Sequence, residues 1–219
     1  MSQSAAAAVH PGEVETFSPE DYFLGLAQRV AAGSTITHIS LDAGEVIIDP
    51  LRARYVAFIP NPDVFYLKPA AGFQTTPTKT CSFPDFPERD LAELLWTAGH
   101  HASAGRLPAG CSKYDVVKLR HWPNLSRLPA TPGAMRLCAF LSRRPSALHL
   151  ARKLAGVDEG EAYSFYSAAL SAGALDLVSR ATALSPSEAE PAPDPAPATV
   201  RRPADQSVLR LLWTKVSRL

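Results

Sequence analysis

Cysteine is scarce in this chain of 219 residues: Cys81, Cys111 and Cys138 are the whole supply, an odd number at unrelated spacings. No disulfide framework can be drawn from them, and nothing in their use points to secretion. Long apolar runs are missing too, for no window approaches the roughly 20 residues that a membrane-spanning helix needs. The first residues, MSQSAAAAVHPGEVE, hold no basic segment followed by an apolar core, so no signal peptide is read there. Catalytic signatures are absent: there is no G-x-S-x-G, no P-loop, no dinucleotide fingerprint and no H-E-x-x-H. Net charge is only +1, too small for an overall affinity for polyanions, yet no acidic residue falls between Asp115 and Asp158. Lys118, Arg120, Arg127, Arg136, Arg143, Arg144, Arg152 and Lys153 all lie in that window. A cytoplasmic, non-enzymatic protein without cofactor or metal is expected, and the richness in Ala, Arg and Pro suggests a bacterial source.

What is there divides the chain into five stretches. Residues 1–17 are small, polar and broken by Pro11 and Gly12, which reads as a disordered leader. Residues 18–128 predict an α+β domain, a small antiparallel sheet with helices. Ser18 as cap, Pro19 in the first turn and the carboxylates of Glu20 and Asp21 favour a helix to about Ala32, with Tyr22, Phe23, Leu26 and Val30 on its apolar face. The period then drops to two. TITHISL and EVIID flank Asp42-Ala43-Gly44 and predict a hairpin, residues 53–59 a third strand, and VFYLK after Asn61-Pro62-Asp63 a fourth. The proline-rich segment 69–87 is expected as a surface loop, and residues 88–102 as a helix burying Leu91, Leu94, Leu95 and Ala98. Residues 114–122 alternate again and predict a fifth strand returning to the same sheet.

A second domain is expected over residues 129–180, entered through a proline-rich connector in which Trp122 would pack the two domains together. Thr131 and Pro132 start a helix with Met135, Cys138, Ala139 and Leu141 at core spacing. Ser146 starts a second, with Ala147, Leu150, Ala151 and Leu154 inward and Gly156 as the turn. A third buries Ala162, Phe165, Tyr166, Ala169 and Leu170 and leaves Glu161, Tyr163, Ser164, Ser167, Ala168 and Ser171 outward. The run RRPSALHLARKLAGV followed by a third helix and an AGAL close resembles the winged-helix superfamily over residues 131–180. The resemblance implies a trihelical unit with a wing, and only LDLVSRATAL is available to form that wing. It also implies a third helix that enters the DNA major groove or docks on protein.

The outward positions of that third helix hold no Arg or Lys, a poor surface for phosphates, so protein docking through Tyr163 and Ser167 is preferred over DNA. Residues 181–206 read as a disordered Pro/Ala-rich linker, and 207–219 as an amphipathic helix offering Leu209, Leu212, Trp213 and Val216 to a partner. Its cations, Arg210, Lys215 and Arg218, are too few to hold an anionic membrane. Arg143, Arg144, Arg152 and Lys153 could contact phosphate or nucleic acid. Cys81, His100, His101 and Cys111 lack the paired short spacings of a zinc module, and Asp42, Glu45 and Asp49 fit solvent-facing hairpin positions better than a carboxylate site. The expected function is that of a regulatory or adaptor protein acting through protein–protein contacts. The alternative is a winged-helix transcription regulator.

Overall fold

A computed structural model describes residues 14–129 and 131–180. The fold is α+β. Thr16 and Phe17, placed by the sequence in the leader, form a short strand (β1, Thr16–Phe17), and the Phe17 side chain is buried. Instead of a helix starting at Ser18, Pro19–Asp21 make a single 3-10 turn and Tyr22 returns to extended backbone, so helix α1 runs Phe23–Ala31. Ser18 makes no side-chain cap, and Phe23, Leu24, Gly25, Leu26 and Ala27 are the residues that α1 buries.

The hairpin forms as its alternation predicts. Strands β2 (Thr37–Leu41) and β3 (Gly44–Asp49) pair antiparallel from Thr37 opposite Ile48 to Leu41 opposite Gly44. Gly44 has φ of 151°, and a Cβ there would stand 2.7 Å from the Phe58 carbonyl oxygen, so both the turn and the neighbouring strand require glycine. β4 (Arg54–Phe58) pairs with β3. The expected fourth strand is a helix, α2 (Pro62–Leu67). Asn61 accepts a hydrogen bond from the Val64 amide at 3.3 Å, with proline at the first helical position and Asp63 in the first turn, a helix start rather than a hairpin turn. A strand would have sent Phe65 and Tyr66 to opposite faces, whereas the helix packs both rings against Phe23.

Part of the proline-rich segment joins the sheet. β5 (Gln74–Pro77) pairs with β2 at an edge, where proline is tolerated, and β6 (Arg89–Asp90) pairs with β4 at the other. The five-stranded order is β5-β2-β3-β4-β6. One face of this sheet (Ile39, Val46, Ile48, Tyr55) packs with α1 and α2, while Ile47 and Val56 on the other face meet Cys81.

Helix α3 (Leu91–Ser103) begins on Asp90, which accepts from the Ala92 amide at 2.9 Å. β7 (Leu107–Pro108) then pairs in parallel with β1. Residues 114–122 do not return to the first sheet: β8 (Val116–Leu119) is the middle strand of a second one, with β9 (Ser146–Ala147) on one side and β10 (Leu175–Ser179) on the other. Helices α4 (Pro132–Arg143), α5 (Leu148–Ala155) and α6 (Glu159–Ser171) pack on that sheet. The described residues fall in one compact unit rather than dividing at residue 129, because β8 precedes that point and pairs beyond it.

α3 is the shared wall. Its Leu91, Leu94, Ala98 and Ala102 close the first core, and its Trp96 enters the second. Trp96, and not Trp122, is the aromatic that joins the halves: its indole N–H donates to the Pro129 carbonyl at 3.0 Å and its ring meets Phe165 edge-on. On the same helix Gly99 lies directly on α6. A Cβ at Gly99 would stand 2.8 Å from Ser171 Oγ, 2.9 Å from the Ser167 carbonyl oxygen and 3.1 Å from the Ala168 Cα. The Ser167 hydroxyl donates to the Gly99 carbonyl at 3.0 Å, and the Gly105 amide donates to Ser164 Oγ at 3.1 Å.

Among the described residues no helix is long and apolar enough to cross a membrane. Because backbone atoms bound the space beside Gly99, Gly99→Val is expected to cost about 1–3 kcal/mol despite valine's better helix propensity. Thermal denaturation followed by circular dichroism checks this, and an unchanged Tm would mean that α3 and α6 stand further apart.

Candidate partner-binding groove

The helices α4 and α5 differ from their sequence reading by the face they bury. In α4 the core positions are Gly133, Ala134, Leu137, Cys138 and Leu141, and Met135 is 63% exposed. In α5 they are Leu148 and Ala151, while Leu150 and Leu154 are 43% and 57% exposed. The reason lies in where each helix starts. Leu148 is the first residue of α5, brought in by β9, and a Cβ on Gly133 would stand 2.7 Å from Val157 and 2.8 Å from the Glu161 carboxylate, so a side chain there would have to displace them. The Gly133 amide donates to Glu161 Oε1 at 2.6 Å, so Glu161, expected outward on α6, instead satisfies the start of α4.

Arg136, Ala139, Phe140 and Arg143 of α4 and Leu154 and Ala155 of α5 line a groove of about 360 Å³. Its floor is apolar and its rim cationic. Arg144 lies over the Phe140 ring at 5.3 Å, and Arg136 Nη1 would be 3.6 Å from a Cβ placed on Gly156, at the carbonyl end of α5. Arg136, Arg143, Arg144 and Lys153 make no ion pair among the described residues. Arg152 differs from the other three proposed phosphate contacts, being held by Glu159 at 2.9 Å. Glu159 also accepts from the Tyr163 hydroxyl, which with burial pushes that phenol up.

Tyr163 and Ser167, expected on an outward docking face, are 3% and 0% exposed. For Ser167 the cause is α3, which lies on that surface of α6 and buries Ser164 and Ala168 with it; Tyr163 instead donates to the Glu159 carboxylate that also holds Arg152 of α5. Leu209, Leu212, Trp213 and Val216 lie outside the described residues. Trp122 is 52% exposed and lines a separate cleft of about 160 Å³ with Trp96, Glu93 and His121.

No protein-family model matches this chain, and no curated protein or solved structure matches it. Its own residues therefore carry the functional reading.

The other candidate chemistry stays dispersed. Cys81 Sγ donates to the Ile47 carbonyl at 3.4 Å, whereas Cys111 sits in the second core's margin, and burial pushes both thiols up. Among the described residues no set of three or more His, Cys, Asp and Glu side chains is placed to hold a metal. Asp49 is buried rather than solvent-facing, and accepts from the Leu51 and Arg52 amides at 3.1 Å each; Glu45 meets His38 at 2.9 Å. His101 stacks on Tyr66 and reaches Asp63 at 3.2 Å.

The sequence signal that could have revealed the groove is in LHLARKLA. Leu148 and Ala151 form one apolar stripe and Leu150 and Leu154 another, and one core can use only one of them. Met135→Ser and Leu154→Ser are accordingly expected to change stability by no more than about 0.5 kcal/mol, against about 2–5 kcal/mol for Leu137→Ala. Urea denaturation of the three variants checks the assignment, and a large loss for Leu154→Ser would put that side chain in the core.

Burial lowers the pKa of both His100 and His101, assisted for His100 by its neighbour and opposed for His101 by Asp63. The unfolded chain therefore takes up these protons first as pH falls through about 6.5, and the stability present above that value is lost below it. The urea midpoint is expected to be lower at pH 5.5 than at 7.5, with a smaller loss in His100→Gln. An equal loss in that variant would remove His100 from the cause.

Proposed function

We propose that this chain is a non-enzymatic regulatory or adaptor protein that works by binding other proteins, with the α4–α5 groove as its docking surface. The observation that carries the reading is the exchange of faces: α3 takes the side of α6 that would read DNA, while α4 and α5 leave Phe140 and Leu154 lining a groove beside Arg136 and Arg143, with Met135 and Leu150 exposed on the same two helices. An apolar surface with a polar rim is what a partner-binding patch requires. The order α4, β9, α5, α6, β10 supports a relation to the winged-helix superfamily, with β8 entering from upstream as the middle strand. A cytoplasmic setting and a second contact through residues 207–219 complete the proposal.

Arg136, Arg143, Arg144 and Lys153, which make no ion pair among the described residues, favour a second reading, in which α4 and α5 meet a DNA backbone. One pair of experiments separates the two. The full chain, its Leu154→Glu variant and a variant lacking residues 207–219 are used to capture proteins from the source cells. A protein held by the wild type and lost by Leu154→Glu, with an unchanged melting curve, is the expected result. Retardation of random duplex DNA with a steep fall in affinity as salt rises would favour the second reading. A captured set indifferent to Leu154→Glu would remove the groove from either role.

A further inference from the structure

Granting that the groove is a docking surface, we propose that its occupant is an acidic amphipathic helix, with apolar residues one turn apart seated between α4 and α5 and carboxylates on its flanks facing Arg136, Arg143 and Arg144.

Charge selects the flanks. Between Asp115 and Asp158 the chain supplies no carboxylate of its own, and the acidic side chains that follow the groove in sequence are committed elsewhere: Asp158 to the Gly160 amide, Glu159 to Arg152 and Tyr163, Glu161 to the Gly133 amide. The rim cations thus face outward with nothing in the described fold to neutralise them. An anionic partner gains from all of them, whereas a basic one would be repelled. The window reads as one-signed because its counter-charge comes from another molecule.

Apolarity selects peptide over nucleic acid. Ala139, Phe140 and Leu154 form the floor, and the exposed Met135 and Leu150 each stand one helical turn before a lining residue, Ala139 and Leu154. A phosphodiester backbone would satisfy the rim and leave that floor without a partner, while an apolar stripe covers it. Geometry selects the helix. From Met135 to Arg143 α4 rises about 12 Å, the span of two to three helical turns. A helix laid along it presents i, i+3 or i+4, and i+7 positions to the floor, and its charged residues to either side.

The test is selection of peptides of roughly 15 random residues, a length that spans the groove as a helix, on the immobilised full chain. Selected peptides are resynthesised and titrated against the wild type and the variants Leu154→Glu, Met135→Asp and Arg143→Glu. Asp and Glu flanking apolar residues at helical spacing are expected. Binding should be lost in Leu154→Glu and Met135→Asp, and weakened on the order of tenfold in Arg143→Glu, less at high salt. Melting curves of the variants exclude misfolding, and two substitutions on different helices guard against a local effect. Selected peptides that are neutral or basic but still depend on Leu154 would overturn the acidic occupant and leave the docking surface standing. Peptides that ignore both substitutions would remove the docking surface as well. Random duplex DNA bound in an Arg143-dependent manner, or a wild-type dimer that Leu154→Glu converts to monomer, would each replace the proposed occupant.

Discussion

The close approach of α3 and α6 is the constraint on which the rest depends. Two helices come near enough for a serine hydroxyl of one to reach a carbonyl of the other only where both present small residues, and here Gly99 faces Ser167, Ala168 and Ser171. Dispersion between backbones falls off steeply with distance, so small residues at this contact allow many atoms to meet at once. Polar atoms survive at the contact because each is partnered: Ser167 donates to Gly99, and Ser164 accepts from Gly105. With this contact made, α3 becomes the wall of two cores, and what the chain order would have left as two domains is one unit.

The same contact redistributes the surface. α6 is buried nearly all round, so the face that a trihelical DNA reader would keep free is spent on internal packing. On α4 and α5 the apolar side chains exceed what one core can hold, and Phe140 and Leu154 gather where the two helices run past each other. Among the described residues the cations beside them make no ion pair, and Glu159 and Glu161 serve the joints between helices. An exposed apolar groove with one sign of charge at its rim, and with Asp158, Glu159 and Glu161 in use elsewhere, is what the proposed docking of a partner rests on.

Much of the architecture was legible in the sequence, and for stated reasons. The period of two, with Gly44 at the turn, determined the hairpin; apolar spacing determined α3 and three helices after residue 131; and the run without carboxylates between Asp115 and Asp158 marked the cationic region. These are local properties, written within one or two turns of chain. What only the tertiary structure decided is which of two apolar stripes a helix turns inward and which strand a short extended segment joins. Leu148 outcompeted Leu150 and Leu154 because β9 delivers it to the core; β8 found β9 and β10 rather than the first sheet; and α3, distant in sequence, covered Ser167 and Ala168. Each of these outcomes depends on a surface assembled from far along the chain, and periodicity within a helix carries no information about what stands opposite it.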